Sequence, residues 1–430
     1  SPAYSLRQFR EFSKIGSFVE RLHFDTFFYL ENNKNLRVAE ITAPRNSTVV
    51  AVNQKLGRSF VTATYLPRKP EVALQLRLWR LPHRINHQEL PEVEINSEFR
   101  NLLSNTNDCG SIKTQVLIAL LPKYMPRIYV EQYVELTQTK KPWSSKRYPK
   151  VIFTANRHLY DDIFNYWAAH AAEMGSHIVL AQHGGNYGIS EFPSFAECHE
   201  VHVSDRYLTW GWDSAGRTYK GFALPLAGRT LHSSQPSGPL LVISDQLWKY
   251  PRSIFSDTPE SSTYLGHLKS TIDGLLPEIR SKTLLRIHHA HEDAGSSQID
   301  WWKLNCRDIR LNVGEVGFQK KLAESRLVLV AHNGTSIPES IALHAPTIIT
   351  WSDSYMKVRQ SAESVFDALE QVGVFHRTPE SAASFINSIW TDVDGWWNSP
   401  PTLEARKQFT DQYARTVSNP VRFLAKALQF

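Results

Sequence analysis

The chain has 430 residues, which is long for one domain and suits two domains of ordinary size. Its composition, with 42% hydrophobic, 21% charged and 11% aromatic residues, is that of a folded protein and excludes disorder as the main state. The excess of 48 basic over 42 acidic side chains gives a net charge of +6, which fits an anionic substrate or membrane surface and is too dilute to indicate nucleic-acid binding.

Strand and helix signals in the first half become clear only after about residue 113. Apolar runs predict strands at Lys150–Thr154, His177–Ala181 and Arg206–Trp210, with a helix over Leu159–Met174 between the first two. A cluster of proline, glycine and serine at Leu224–Pro239 predicts a boundary between domains spanning residues 1–225 and 226–430.

The second half alternates regularly between strands and helices. The predicted strands are Leu240–Ser244, Thr283–His288, Asp308–Asn312, Leu327–Ala331 and Thr347–Thr350. The predicted helices are Thr263–Arg280, Phe318–Ser325, Ser336–His344, Ser354–Gln371, Pro379–Trp390 and Thr402–Leu428. Because continuous Val/Ile/Leu strands alternate with helices, we expect an α/β fold with a parallel sheet covered on both faces. Two such halves place a ligand cleft between the carboxyl ends of their strands.

Cysteine content and the lack of long apolar runs bear on the compartment. The cysteines Cys109, Cys198 and Cys306 are odd in number and far apart, so a disulfide framework and a thiolate zinc site are disfavoured. No apolar run approaches the roughly 18–20 residues that span a bilayer, and the chain does not open on a charged-then-apolar leader. We therefore expect a cytoplasmic protein.

The segment Gln138–Lys150 carries five basic residues and two prolines, which predicts an exposed loop. Its charge suggests peripheral contact with anionic lipid at the inner face of the cytoplasmic membrane, or with an anionic glycan, although a solvated loop fits the pattern equally well. Neutralising Lys140, Lys141, Lys146 and Arg147 would separate these interpretations by liposome binding.

The most distinctive local pattern, QHGGNYG, directly follows the predicted strand His177–Ala181. Gly184 and Gly185 permit a ligand to approach the backbone closely, and Gln182 and His183 supply polar groups beside it. A tight turn with a hydrogen-bonded histidine is the structural alternative. The spacing is not that of a dinucleotide-binding G-x-G-x-x-G loop.

Two carboxylates, Asp161 and Asp162, lie where the strand Lys150–Thr154 gives way to a helix. Either one can act as a general base for an acceptor hydroxyl, since both would face the same crevice as His183. The structural alternative is that they cap the helix.

Polar residues also follow the predicted strands of the second half. Asp245 ends the first, and Arg286, His288 and His289 end the next. The histidines have no compact carboxylate partner, so we expect phosphate-binding or solvated side chains and no metal site.

The sequence Asn333-Gly334-Thr335-Ser336 joins the strand Leu327–Ala331 to a helix. A turn of these residues offers backbone N–H groups and hydroxyls to a phosphate, and Glu339 lies one turn further on, within reach of a ribose hydroxyl. The structural alternative is a Ser/Thr cap with Glu339 closing a capping box.

Several of these segments together resemble a family of bacterial transferases associated with surface-glycan and nonulosonic-acid gene clusters. The likeness runs from about Leu121 to the C-terminus. It rests on these stretches: YPKVIFTANRHLYDDIFNYWAA, QHGGNYG, DRYLTWGW, HNGTSIPESIALHAPTII, GWWNSP and EARKQF.

The resemblance implies a GT-B glycosyltransferase, with two Rossmann-like domains facing each other, the nucleotide sugar on the C-terminal one, and a final helix that crosses back. More distantly the plan is similar to transferases that use CMP-activated ulosonic acids, including the Kdo transferases of capsule and O-antigen. Their His-Pro and Ser/Thr motifs would match His288-His289 and Thr335-Ser336, with His289 in place of the proline.

We therefore predict a transferase that moves Kdo or a related ulosonic acid from a CMP donor to a bacterial surface polysaccharide, such as O-antigen, capsule or lipopolysaccharide. The predicted partners are a nucleotide sugar and a glycan or glycolipid acceptor, with no cofactor, no metal and no nucleic acid. If transfer retains configuration, a double displacement needs a nucleophile, and Asp245 is the candidate, with a turn cap as its alternative. The alternative functions are a UDP- or GDP-hexose transferase and a sugar-nucleotide epimerase.

Overall fold

A computed structural model of the chain describes residues 59–80, 90–102, 111–138, 148–192, 195–214, 216, 218–229, 235–247, 261–288, 298–313 and 317–430. These residues form two entirely parallel β-sheets, one in each half of the chain. Parallel pairing fits the sequence, because most strands are separated by a helix and the central ones are short apolar runs.

The first sheet has five strands within the described residues, and their spatial order β1-β2-β3-β4-β5 follows the chain. The strands are β1 Ser59–Thr62, β2 Val151–Thr154, β3 His177–Ala181, β4 Arg206–Thr209 and β5 Thr218–Lys220. The helices of this half are α1 Arg68–Arg77, α2 Ser97–Leu102, α3 Ile112–Tyr124, α4 Tyr133–Gln138, α5 Asp162–Glu173 and α6 Phe195–Val203. Three-residue helical turns lie at Arg127–Tyr129, Arg157–Leu159 and Leu224–Leu226.

The second sheet has six strands within the described part of the chain, in the spatial order β11-β10-β9-β6-β7-β8. They are β6 Leu240–Ile243, β7 Thr283–Arg286, β8 Arg310–Asn312, β9 Leu327–Val330, β10 Thr347–Thr350 and β11 Phe375–His376. The helices are α7 Ser261–Asp273, α8 Pro277–Arg280, α9 Gln298–Asn305, α10 Phe318–Ala323, α11 Ser336–Ala342, α12 Gln360–Gln371, α13 Pro379–Ile389, α14 Val393–Trp397, α15 Pro400–Tyr413 and α16 Pro420–Ala427. A helical turn at Trp390–Asp392 joins α13 to α14.

The last two helices connect the halves. Helix α15 packs against the second half through Phe409, whose ring lies 6.1 Å from that of Phe366. Helix α16 returns to the first half, where Leu424 is fully buried in one cluster with Val61 and Phe153. Two facing Rossmann-like units with a final helix that crosses back are the GT-B fold, as the resemblance implies.

Several predicted elements need correction. The single helix Thr402–Leu428 is in fact two, α15 and α16, with Pro420 at the first turn of the second, where its missing N–H costs nothing. The helix Thr263–Arg280 also divides, because Pro277 begins α8. The short strands β1, β5 and β11 were not predicted. The predicted boundary at residues 225 and 226 lies between β5 and β6.

Among the described residues, no helix is both long and apolar enough to cross a membrane. The basic residues Lys140, Lys141, Lys146 and Arg147 lie outside the described residues, so the liposome experiment stays a prediction. Cys198 and Cys306 are free thiols. No group of three or more potential metal ligands occurs in the described ranges.

Candidate functional site

The carboxyl ends of the two sheets meet through one close backbone contact. Gly185 follows β3 in the first half, and Gly334 and Thr335 follow β9 in the second. A Cβ atom on Gly185 would lie 2.5 Å from the Gly334 oxygen and 2.7 Å from the Thr335 Cα. Only glycine therefore fits here. We call residues Gln182–Gly188 the glycine loop and His332–Ser336 the asparagine turn.

Gln182 fastens the glycine loop to the residues after β4. Its Oε1 accepts hydrogen bonds from the Trp210 backbone N–H at 2.9 Å and from Trp212 Nε1 at 2.8 Å. Its Nε2 donates to the Gly184 oxygen at 2.7 Å. The side chain is fully buried, so the predicted contact between Gln182 and the donor is replaced by a structural role. This explains why the Q-H-G-G and W-G-W patterns occur together.

His183 is the side chain that the glycine loop presents at the edge of the sheet. It is 15% exposed, its Nε2 lies 3.1 Å from the Tyr187 hydroxyl, and its Nδ1 lies 3.6 Å from Glu200 Oε1. Burial lowers the pKa of His183, and nearby Glu200 partly offsets that effect. The imidazole is thus held largely neutral near pH 7, the form in which it can accept a proton.

Sequence reasoning missed Glu200, a carboxylate buried behind His183 on helix α6. Its Oε1 lies 2.9 Å from His158 Nε2, and its Oε2 accepts a hydrogen bond from the Tyr207 hydroxyl at 3.0 Å. Burial raises the pKa of Glu200 to about 8. The sequence FAECHEVHV around it matches no catalytic motif, and only the fold brings Glu200 to His158 and His183.

Strained backbone lies beside the same histidine. Ala63 and Tyr65 follow β1 with φ of +44° and +61°, a region that residues other than glycine rarely adopt. The Tyr65 ring is 42% exposed and lies 6.1 Å from the His183 ring. Asn156, after β2, donates to the Tyr65 hydroxyl at 3.3 Å. Strain of this kind is concentrated at functional sites.

The two aspartates predicted as general bases have different surroundings. Asp161 is fully buried; it caps α5 by accepting from the Phe164 N–H at 2.8 Å and forms an ion pair with Arg157 at 2.6 Å. Both carboxylate oxygens are used, so the base assignment for Asp161 gives way to the cap that was its alternative. Asp162 is half-buried and accepts a hydrogen bond from the Tyr129 hydroxyl. Its catalytic role stays a prediction.

The asparagine turn leaves polar atoms without partners. His332 and Asn333 are each only 8% exposed, yet His332 Nδ1 and Asn333 Oδ1 have no hydrogen-bond partner among the described residues. His332 Nε2 lies 3.2 Å from the Ser336 hydroxyl. The His332 ring also explains Gly334, because a Cβ there would lie 2.5 Å from it. Steric room, and not unusual backbone geometry, requires this glycine.

The predicted capping box at the start of α11 does not form through Thr335, whose side chain makes no cap hydrogen bond. Glu339 is half-buried on the same helix. Burial raises its pKa to about 7, although the charge of Arg229 acts in the opposite direction. The hydroxyl of Thr335 is thus not committed to the cap, and the predicted contacts of Thr335 and Glu339 with a nucleotide stay predictions.

The remaining predicted donor residues lie at the ends of β6 and β7. Asp245 Oδ1 accepts from the Gln246 N–H at 2.8 Å, a local contact that favours the turn cap over the nucleophile. Arg286 donates to Asn312 Oδ1 at 2.7 Å and is half-buried. His288 is exposed, and His289 lies outside the described residues.

A second set of contacts fastens the two halves beside the asparagine turn. Asn333 Nδ2 donates to the Ser190 hydroxyl at 2.9 Å. Arg359, from the second half, donates to the Ser190 oxygen at 3.0 Å and forms an ion pair with Glu197 at 2.9 Å. The Glu197 carboxylate in turn accepts from the Gly188 N–H at 3.0 Å. These bonds hold the glycine loop against the second half.

Comparison with known proteins assigns the chain to a family. The family model described as LIC12162 family transferase matches residues 25–428. The chain belongs to this family. It is therefore a transferase, and the match extends the family region well before Leu121, where the resemblance in the sequence began. No curated protein matches the chain.

Three solved structures are similar to this transferase at low identity. WaaG, a glycosyltransferase involved in lipopolysaccharide biosynthesis, is 12% identical over 86% of this chain and 99% of its own, with a TM-score of 0.35. The spinosyn rhamnosyltransferase SpnG is 12% identical over the same shares, with a TM-score of 0.36. A candidate UDP-N-acetylglucosamine 2-epimerase from Listeria monocytogenes is 11% identical over 65% of this chain and 71% of its own, with a TM-score of 0.35. These similarities are too distant to bear on activity.

Proposed function

We propose that this transferase is a glycosyltransferase, with the nucleotide sugar on the second half and a glycan acceptor on the first. The observation that carries the proposal is the contact of Gly185 with Gly334 and Thr335. It brings a strand-end loop of each sheet to one place in the cleft, where parallel α/β sheets bind ligands. A group-transfer enzyme needs both substrates at such a meeting point.

The asparagine turn is the proposed seat of the donor nucleotide. The unpartnered His332 Nδ1 and Asn333 Oδ1 are buried polar atoms that a ligand can satisfy. A phosphate oxygen accepts from an imidazole N–H or a hydroxyl, and a ribose hydroxyl donates to an amide oxygen. Thr335 and Ser336 add hydroxyls beside them. In a glycosyl transfer, these groups would stabilise the negative charge that develops on the leaving phosphate.

More specifically, we propose that the donor is a CMP-activated ulosonic acid, Kdo or a related sugar, and that the acceptor is a bacterial surface polysaccharide. The resemblance to ulosonic-acid transferases at Thr335-Ser336 supports it. Arg286, which ends β7 and donates to Asn312, is the cation proposed to bind the sugar's own carboxylate. His289 in place of the family's proline weakens the match at that strand end.

A nucleotide panel tests the proposal. We expect CMP to bind by calorimetry and to raise the unfolding temperature more than UDP or GDP does at equal concentration. Binding of UDP alone would replace the CMP donor by the hexose-transferase or epimerase alternative. Transfer of a labelled sugar to a separate acceptor distinguishes the transferase from the epimerase. Failure of all three nucleotides to bind would overturn the proposal.

A further inference from the structure

The buried carboxylate of Glu200 has no place in the functions considered so far. It is fully buried on α6, and an ionisable group so placed costs stability unless its partners compensate. Its partners come from separate elements: His158 after β2, His183 after β3 and Tyr207 in β4. A buried carboxylate with two histidines and a tyrosine around it is an arrangement suited to proton transfer.

We propose that Glu200 is a positioning residue for His183, and that His183 accepts the acceptor's proton during transfer, with His158 as the third member of a buried proton-sharing unit. This inference rests on the proposed glycosyltransferase function. The geometry is directional. Glu200 Oε1 lies 3.6 Å from His183 Nδ1, which has no hydrogen-bond partner among the described residues, and the Tyr187 hydroxyl lies 3.1 Å from Nε2. A negative charge at this distance favours a proton on the nitrogen that faces it, which leaves the other nitrogen as the base.

The Tyr187 hydroxyl can make way for the acceptor. It also lies within hydrogen-bonding reach of Glu200, so it has a second partner when it leaves His183 Nε2. The acceptor hydroxyl then takes its place at that nitrogen. Tyr187 is itself buried, so it is part of the unit's lining and does not contact bulk water.

In the proposed mechanism, the sugar is transferred in a single displacement. The acceptor oxygen forms a bond to the anomeric carbon of the donor sugar, while its proton passes to His183 Nε2. The bond between that carbon and the phosphate oxygen breaks, and its electron pair leaves with the nucleotide. The resulting imidazolium lies beside Glu200, which stabilises it once the carboxylate has formed, so transfer should speed up as the pH rises through about 8. No carboxylate nucleophile is needed, consistent with the local engagement of Asp245.

The titration of Glu200 should be detectable at the ring nitrogens of His183. The groups that face it are His158, His183, Tyr187, Tyr207 and Glu197. Burial is the main cause of its raised pKa, about 8, and the hydrogen bond from Tyr207 lowers it. Above that pH the carboxylate forms and draws the proton of His183 toward Nδ1, so the ring nitrogens of His183 should report the change.

The test follows the ring nitrogens by NMR in the full chain labelled with ¹⁵N-histidine, from pH 6 to pH 10. The His183 signals are assigned by their loss in His183→Asn. We expect a step in their shifts with a midpoint near pH 8, absent in Glu200→Gln. Glu197→Gln is the matched control, because it removes a buried carboxylate one turn earlier on the same helix and should keep the step. The same step in Glu200→Gln, or none in the unmodified protein, would overturn the proposal.

A second variant covers the case in which Glu200→Gln does not fold. Tyr207→Phe removes one hydroxyl and the hydrogen bond that lowers the Glu200 pKa, so the midpoint should move to higher pH. An unchanged midpoint contradicts the assignment.

The catalytic part of the proposal is tested with CMP and a CMP-sugar donor. Glu200→Gln should leave CMP affinity unchanged and lower turnover at least tenfold, and His183→Asn should lower it by about 10²–10⁴-fold. If both variants turn over as fast as the unmodified protein, then neither Glu200 nor His183 has the role proposed here. If CMP, UDP and GDP all fail to bind, the proposed function fails, whereas the His183 titration still decides whether Glu200 positions the ring.

Discussion

The glycine loop and the asparagine turn occupy equivalent places, each after a central strand of its sheet, yet the Gln182 amide and the side chains of the asparagine turn differ in their hydrogen bonding. In the glycine loop, Gln182 uses its amide in three hydrogen bonds within the first half. In the asparagine turn, His332 Nδ1 and Asn333 Oδ1 have no partner among the described residues. Within the glycine loop, His183 Nδ1 also has no hydrogen-bond partner among the described residues and faces Glu200. The satisfied Gln182 amide is a rigid support, whereas the unsatisfied atoms of the asparagine turn can bind a ligand.

The largest loss of stability is expected from removing the Gln182 amide. Gln182→Leu leaves the Trp210 N–H and the Trp212 indole N–H buried without an acceptor. At about 1–3 kcal/mol for each of these two groups, the free energy of unfolding should fall by about 2–6 kcal/mol. Urea unfolding measures it. The control is Gln360→Leu at an exposed position, which should change stability by less than about 0.5 kcal/mol. A loss below about 1 kcal/mol for Gln182→Leu would show that the amide bonds are not structural.

Next to the asparagine turn, the half-buried Glu339 on α11 predicts a dependence of stability on pH. Its pKa is about 7 in the folded protein against 4.5 ordinarily, so between these values the native state binds more protons than the unfolded state. Stability therefore falls as pH rises through this window, by up to about 3 kcal/mol above pH 7. Glu339→Gln should be more stable than the unmodified protein at pH 9 and equal to it at pH 4. An exposed control, Glu404→Gln, should show the same difference at both pH values, and a Glu339→Gln variant that behaves likewise would refute the burial effect.

The contact between the two regions predicts a smaller loss. Gly185→Ala places a methyl group 2.5 Å from the Gly334 oxygen, and overpacking of this kind costs about 1–3 kcal/mol. Gly266→Ala is the matched control, since its new Cβ would have no atom within 4 Å and lies in helix α7. There we expect a gain of about 0.5–1 kcal/mol. Equal unfolding midpoints for both alanine variants would mean that the loops are not in contact.

The smallest effect concerns the ion pair that joins the halves. A double-mutant cycle with Arg359→Ala and Glu197→Ala should give a coupling energy of about 1 kcal/mol, because the pair is partly buried and one guanidinium nitrogen donates to both carboxylate oxygens. Denaturant unfolding of the two single variants and the double variant measures it. Strictly additive losses would indicate that the two side chains act independently.

Much of the fold could be predicted from the sequence, whereas the chemistry of the site could not. The bounds of the strands His177–Ala181 and Thr347–Thr350 were predicted correctly, because each has a short β-branched or aliphatic centre between turn signals. The four-residue strand β1 was missed, since SFVT is too short to show a period.

The roles of the site residues could not be predicted, because they depend on partners that are distant in sequence. The QHGG pattern predicted a ligand contact, yet the Gln182 amide oxygen accepts hydrogen bonds from Trp210 and Trp212, about thirty positions later. Asp161 was ambiguous between base and cap until its bond to Phe164 and its pairing with Arg157 were known. Glu200 carried no signal, because nothing in its own helix shows that two histidines from other elements converge on it.

The central claim is that the asparagine turn holds the phosphate of a donor nucleotide opposite His183, and calorimetry with CMP tests it most directly. Each charge-assisted hydrogen bond to phosphate contributes about 1.5–3 kcal/mol, so losing two should weaken binding by about two to four orders of magnitude. We predict that the double variant Thr335→Ala, Ser336→Ala stays folded and loses CMP binding, while Ser388→Ala, an exposed serine on α13, binds as the unmodified protein does. A double variant that binds CMP as tightly as the unmodified protein would contradict the claim and leave the turn with only a structural role.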